Sequence, residues 1–357
     1  MWRKPLTAPG LGGVAATDRW VIVADRERND SIDAFRCFDA HSGAADWTVR
    51  YPAPGRLDYG NSSRATPLID DGRVYLFGAQ GHLQCVDLAT GEVVWSKNLV
   101  DEFDVTAKLP WGLCGSPLLA DGKLILNPGG DEGSVVALDP QSGETIWSAA
   151  GEPAGYGSLI AAQLGGRWQV VGHDATSLGG WDLADGKRLW TLVPENPNDF
   201  NVPTPVVYDG GLIVVTENNG LRQYRFDTQG TILPEPVAHR PDITPDVNSP
   251  IVIGDRLFIV FDALYCLDLK HNLATLWEGI DPAYQSTVSL IGSAERLLIA
   301  NDVGELLLVD PAADEYHLMS RQPIFTDESG LLSHPAIVGS RLYLRGNHEL
   351  VCVDLEP

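Results

Sequence analysis

The chain is poor in positive charge. Its 25 lysines and arginines face 48 aspartates and glutamates over 357 residues, a formal net charge of −23. Such a field repels phosphate backbones and acidic lipid, which excludes nucleic acid as a partner and disfavours adsorption to an anionic membrane surface. No run of eighteen apolar residues occurs, so this chain holds no membrane-spanning helix. His-Glu-x-x-His, the Gly-x-Ser-x-Gly elbow and the Gly-x-x-x-x-Gly-Lys-Ser/Thr phosphate loop are all missing. Gly10-Leu11-Gly12-Gly13 opens a strand and not a helix, so it is no dinucleotide fingerprint. The eight histidines show no metal-ligand spacing. Asp131-Glu132 lacks the spacing of a calcium loop and reads as a solvated acidic turn. Methionine occurs only as Met1 and Met319. No apolar signal core follows Met1, yet a strand starts at once, so a leader or further domains are expected upstream in the full gene product.

What is present is a repeat. Cys85-Val86-Asp87-Leu88-Ala89-Thr90-Gly91 runs to Trp95, and Ala137-Leu138-Asp139-Pro140-Gln141-Ser142-Gly143 runs to Trp147. Cys37 to Trp47 and Gly180 to Trp190 repeat the pattern, with weaker copies at Asp227, Asp268, Asp310 and Asp354. The eight aspartates fall at 39, 87, 139, 182, 227, 268, 310 and 354, a mean period of 45 residues. An array at that period, with four short strands per unit, predicts an all-β, eight-bladed β-propeller in a single domain. Aspartate at a turn start accepts from backbone N–H groups two residues on, and glycine accepts positive φ. The motif therefore reads as turn chemistry. In the second unit the strands are expected over Ala65 to Ile69, Arg73 to Phe77, His82 to Val86 and Glu92 to Lys97.

The eighth copy ends at Pro357 without a fourth strand. Trp2-Arg3-Lys4-Pro5-Leu6 matches Trp95-Ser96-Lys97-Asn98-Leu99 at three of five positions, so residues 2–7 are expected to complete the last blade. The blades are placed near 11–50, 61–100, 112–150, 155–194, 201–236, 247–280, 286–322 and 331–357 with 1–7. Trp2, Trp47, Trp95, Trp147, Trp190 and Trp277 supply an apolar body for the joint between neighbours and an N–H that needs an acceptor. Cys37, Cys85, Cys266 and Cys352 share the position two before the motif aspartate and read as small buried strand residues held too far apart to bridge.

This pattern resembles the repeat of the pyrroloquinoline-quinone (PQQ) β-propellers, the quinoprotein alcohol dehydrogenase-like group, over nearly the whole chain. The resemblance implies that the tryptophan docks one blade on the next. The group includes PQQ-dependent dehydrogenases and also non-enzymatic members, among them the propeller lipoprotein of the outer-membrane β-barrel assembly machinery. The dehydrogenases are longer, carry an adjacent cysteine pair over the cofactor, and hold Ca²⁺ through a Glu, an Asn and an Asp. No adjacent cysteines occur here, and none of those ligands maps onto this sequence.

In a propeller the segments leading into each inner strand converge on one channel mouth, where loops on a rigid ring hold binding sites. Asn61, Arg64, Trp111, Cys114, Tyr156, Asn201, Asn248, Gln285 and His334 lie in those segments and form the candidate ligand site. Arg64 needs a partner, either the Asp58 carboxylate or a bound anion. The expected function is a non-catalytic binding or scaffolding propeller that presents this mouth to a protein partner or small ligand, with no cofactor. An extracytoplasmic location, in the periplasm or cell envelope, follows from the resemblance. The alternatives are a dehydrogenase using PQQ with calcium, and the sensor domain of a larger signalling protein.

Overall fold

The computed structural model describes residues 1–197, 199, 201–325 and 331–355. Eight four-stranded antiparallel sheets make up an eight-bladed β-propeller. Among the described residues helix is confined to Leu99–Glu102 and a 3₁₀ turn at Pro282–Tyr284. The strands fall into two compact units, Met1–Ala154 with Leu331–Pro357, and Gly155–Gly330.

The first unit holds four blades. The first comprises Ala15–Ala16, Trp20–Arg26, Ile32–Asp39 and Ala45–Pro52. The second comprises Leu68–Asp70, Arg73–Phe77, His82–Asp87 and Val93–Asn98. The third comprises Leu118–Ala120, Lys123–Leu126, Val135–Leu138 and Thr145–Ala149. The eighth comprises Ala336–Val338, Arg341–Arg345 and Glu349–Asp354, and Trp2–Pro5 is its fourth strand, with Trp2 opposite Cys352 and Pro5 opposite Glu349. The N-terminal strand closes the last blade as expected, but over Trp2–Pro5 and not to residue 7. Thr7 and Ala8 leave the ladder because their backbone N–H groups are captured by the Asp25 carboxylate.

The second unit holds the other four. The fourth comprises Ile160–Leu164, Arg167–His173, Leu178–Asp182 and Arg188–Leu192. The fifth comprises Val206–Tyr208, Gly211–Thr216, Gly220–Tyr224 and Ala238–Arg240. The sixth comprises Ile251–Ile253, Arg256–Val260, Leu264–Asp268 and Ala274–Gly279. The seventh comprises Val288–Gly292, Leu297–Asn301, Glu305–Val309 and Leu318–Pro323.

Two further boundaries differ from the sequence reading. The inner strand of the second blade starts at Leu68, not Ala65, because Pro67 has no N–H to give a ladder. The fifth blade extends past residue 236, since its outer strand Ala238–Arg240 lies in a stretch that reads as loop.

The repeat motif performs three jobs at once. The aspartate caps its own turn: Asp87 Oδ1 accepts from the N–H groups of Ala89 and Thr90 at 3.1 and 3.0 Å, and Asp139 accepts from Gln141 and Ser142. The Thr90 hydroxyl and these N–H donors hold the Asp87 carboxyl below its ordinary range. The glycine turns the chain and also seats the preceding blade's tryptophan. Gly91 has φ +74°, and a Cβ there would lie 2.6 Å from Trp47 Cγ, while Gly143 stands in the same relation to Trp95. The small residue two before the aspartate lies across the ladder from its own blade's tryptophan, in the pairs Cys85–Trp95, Ala137–Trp147, Gly180–Trp190, Cys266–Trp277 and Cys352–Trp2. That position is small because a bulky ring stands opposite it. Cys37, Cys85, Cys266 and Cys352 are free and buried.

The core sits in the joints between consecutive blades. Tyr75, Phe77 and Leu83 of the second blade pack with Leu124, Leu126 and Val136 of the third. Phe258 and Trp277 of the sixth pack with Leu297, Ile299 and Leu307 of the seventh. Each fully buried aliphatic or aromatic side chain contributes roughly 1.5–3 kcal/mol. No blade can hide both its faces alone, so stability resides in these joints.

Candidate functional site

The lead-in segments are stitched together before any ligand is considered. In the first unit Ser116 Oγ accepts from Thr66 N at 3.0 Å, and Gly12 N donates to Ser63 O at 3.0 Å. In the second unit Thr204 Oγ1 accepts from Ser158 N, and Ser249 Oγ accepts from Thr204 N. These hydroxyls belong to the Ser/Thr/Pro pattern at each blade start, and they hold one inner strand to the next.

The three candidate asparagines are braces. Asn61 is buried; its Oδ1 accepts from Leu57 N at 2.8 Å and its Nδ2 donates to Asp30 Oδ2 at 2.7 Å. Asn201 Nδ2 donates to Asp174 O at 2.7 Å, while its Oδ1 receives Tyr156 N at 3.4 Å. Asn248 Nδ2 reaches Val260 O and Ser286 O, and its Oδ1 receives Val288 N at 2.9 Å. An amide with both ends engaged inside the protein offers little to a ligand. Gln285 Nε2 donates to Asp262 O at 2.6 Å and lies exposed.

Arg64 is partnered differently from the expectation. Its guanidinium donates to the backbone carbonyls of Ser62, Asp58 and Gly60, the last two at 2.7 Å. The Asp58 main chain, not its carboxylate, receives it. The loop 58–62 thus wraps its own cation, and Arg64 Nε is left buried without a partner. Cys114 is half-buried, with Sγ near the carbonyls of Gly112 and Trp111. Burial pushes its thiol up to about 12 against the pull of Arg64, so it stays protonated and unreactive. Surrounding protein pushes the His334 imidazole down, so it is neutral at pH 7.

Trp111 stands apart from the braces. Its ring meets Tyr59 edge-on at a centroid distance of 6.1 Å. Tyr59 is 75% exposed and sits at φ +62°, an unusual left-handed backbone for a bulky residue. Gly112, at φ +73° and with Ala79 O 2.5 Å from where a Cβ would be, lets the chain turn directly behind Trp111. Arg64, Tyr59 and Trp111 therefore share the loops that lead into the second and third blades. Tyr59 was not singled out from the sequence; its signal was an aromatic in the turn Asp58-Tyr59-Gly60.

The tryptophans of the motif have their acceptors. Trp2, Trp47 and Trp95 donate from Nε1 to Ala40 O, Leu88 O and Pro140 O of the next blade at 3.1, 2.9 and 3.1 Å. Trp277 donates to Ala313 O at 3.0 Å. Trp147 is buried in the third blade. Trp190 instead donates to Gln169 Oε1 of its own blade at 2.7 Å, and Gln169 Nε2 carries the link to Gly230 O of the fifth.

No group of three or more His, Cys, Asp or Glu side chains placed to hold a metal occurs among the described residues. Among the described residues no such set of carboxylates fits the Ca²⁺ that PQQ would need.

Four-stranded blades, the Asp–Gly–Trp turn and closure by the N-terminal strand define the class: an eight-bladed propeller of PQQ-like repeats. Within that class the chain belongs to the family described as outer membrane protein assembly factor BamB, whose model matches residues 1–130 and 67–278. It is 22% identical to the outer membrane protein assembly factor BamB of Shewanella oneidensis, over 83% of this chain and 85% of that one. The crystal structure of BamB from Moraxella catarrhalis superposes with a TM-score of 0.69 at 17% identity, covering 99% and 98% of the two chains. The dehydrogenase subunit of the quinone alcohol dehydrogenase of Komagataeibacter europaeus is 29% identical over only 31% of this chain and 16% of its own.

Proposed function

We propose that this protein is a non-catalytic scaffold that holds protein partners during outer-membrane protein assembly, and that it works outside the cytoplasm. Membership of the assembly-factor family carries the reading. The contact surface is assigned to the loops leading into the second and third blades, with Tyr59 and Trp111 as anchors and Arg64 fixing the loop 58–62 through its carbonyls. Tyrosine and tryptophan dominate binding energy at protein interfaces because they bury large areas at small entropic cost and keep a polar end. Asn61 braces the loop 57–61 beside these anchors, while Asn201 and Asn248 brace the lead-in segments of their own blades. No cofactor is required by this reading.

The test is removal of the gene from its host, with outer-membrane β-barrel protein levels as the readout. Loss of those proteins, rescued by the wild type and not by a Tyr59→Ser, Trp111→Ser double variant that folds, is the expected result. Unchanged levels would overturn the function. Full rescue by the double variant would overturn the surface. Saturable stabilisation by PQQ with Ca²⁺ would favour the quinoprotein alternative instead.

A further inference from the structure

A cleft opens where the fourth and fifth blades meet. It contains two buried side chains that the fold does not satisfy. His173 ends the second strand of the fourth blade, is 7% exposed, and has no partner for Nε2. Arg222 sits in the third strand of the fifth blade, is 8% exposed, and has no partner for Nε. Arg222 Nη2 donates to Thr216 Oγ1 at 2.7 Å, with Tyr224 alongside. No ion pair among the described residues includes Arg222.

The nearby carboxylates are otherwise engaged. Asp174 binds Arg188 at 3.1 Å and both donors of Ser177. Asp199, on the cleft wall, accepts from Asn218 N at 2.8 Å and Asn219 Nδ2 at 2.5 Å. A buried guanidinium without a counter-ion is costly. A water molecule could satisfy the hydrogen bonds but not the charge. Burial and the neighbouring Arg222 push His173 down to about 4, so it meets a ligand as a neutral imidazole and adds no second cation. Arg222 and Asp199 leave the cleft with no net charge, so it suits a monoanion received by the guanidinium and disfavours a dianion such as phosphate or sulfate, which Asp199 would oppose. Leu178, Leu192 and Val214 supply an apolar wall.

We propose that this cleft binds a single carboxylate on a short apolar stem, received by Arg222 and His173. The group belongs either to a free short-chain acid or to an acidic side chain of a protein partner. The site is independent of the assembly reading, and its test needs no partner protein.

The full chain is titrated with sodium butyrate and, separately, with N-acetyl-glutamate amide, each against sodium chloride at equal ionic strength. Calorimetry and melting temperature are followed together. A ligand that binds only the folded state raises the melting temperature with concentration. Saturable binding of either compound, weakened at least about tenfold by Arg222→Gln and unchanged by Arg240→Gln, is the expected result. Butyrate binding identifies a free acid, and binding of the glutamate derivative alone identifies a side chain. If Arg222→Gln fails to fold, His173→Gln is used, with the same weakening expected. No saturation by either compound up to about 50 mM, equal displacement by chloride, or binding that the variants retain would overturn the proposal.

Discussion

The sixth and fifth blades meet their successors in different ways. The sixth inserts Trp277 into the joint, 6% exposed, and its N–H reaches Ala313 O of the seventh. The fifth has no tryptophan. At its outer strand Arg240 extends to the sixth blade instead, donating to Leu273 O at 3.1 Å and Thr275 Oγ1 at 3.0 Å, with Asp242 steadying the guanidinium. Tyr208 adds a bond to Asp255 Oδ1 at 2.8 Å. The fourth blade lies between these solutions, keeping Trp190 but relaying its bond through Gln169. A joint needs apolar filling and a donor that reaches the neighbour's turn, and one residue type need not provide both.

Urea unfolding of single variants would break or sharpen this contrast. Trp277→Ala removes filling and donor together and is expected to cost about 3–5 kcal/mol. Gln169→Leu strands the Trp190 N–H and the Gly230 carbonyl in a dry joint, for a loss of about 2–4 kcal/mol. Trp277→Phe keeps most of the filling, and Ala313 O keeps its second donor, Arg256 Nη1 at 2.6 Å, so the loss should be only about 1 kcal/mol. Arg240→Met keeps the apolar stem at a partly exposed site and should cost under about 1 kcal/mol. A loss at Arg240 as large as at Trp277 would show that the two joints are not graded as described.

The fourth–fifth joint is also expected to respond to mild acid. His173 has a folded pKa of about 4, below the ordinary value of about 6.5. The unfolded chain binds the proton first, so stability falls as pH drops from about 6.5 towards about 4. The loss is under about 1 kcal/mol at pH 6 and grows below it. His173→Gln should remove this part of the pH profile, and an unchanged profile would assign the loss to other groups.

Much of this fold was legible because the turn and the joint share one motif. Asp87, Gly91 and Trp95 are each required by local chemistry and by the neighbouring blade, so they recur at a countable spacing. Closure was legible for the same reason: Trp2 occupies the place of Trp95, and the register Trp2–Cys352 repeats Trp95–Cys85. The fifth blade's outer strand is not legible because no tryptophan marks Ala238–Arg240. The binding candidates were the least legible. Asn61, Asn201 and Asn248 could be placed on the lead-in segments, but whether an amide faces a ligand or a neighbouring backbone depends on loop geometry with no period. His173 and Arg222 gave no motif at all, since they lie 49 positions apart on different blades. The only available sign was a lone cation in the otherwise unremarkable strand Leu221-Arg222-Gln223-Tyr224.

The pairing of Trp2–Pro5 with Glu349–Asp354 joins segments some 350 residues apart. On the ribosome Trp2–Pro5 emerges well before its partner, and its hydrogen-bonding edge stays open until Glu349–Asp354 has been made. Seven blades can form from contiguous sequence in the order of synthesis, while the eighth waits for Trp2–Pro5 and Glu349–Asp354 to meet. Loss of residues 349–354 would therefore also release Trp2–Pro5, leaving Trp2 off its Ala40 acceptor and an unpaired strand exposed to other chains.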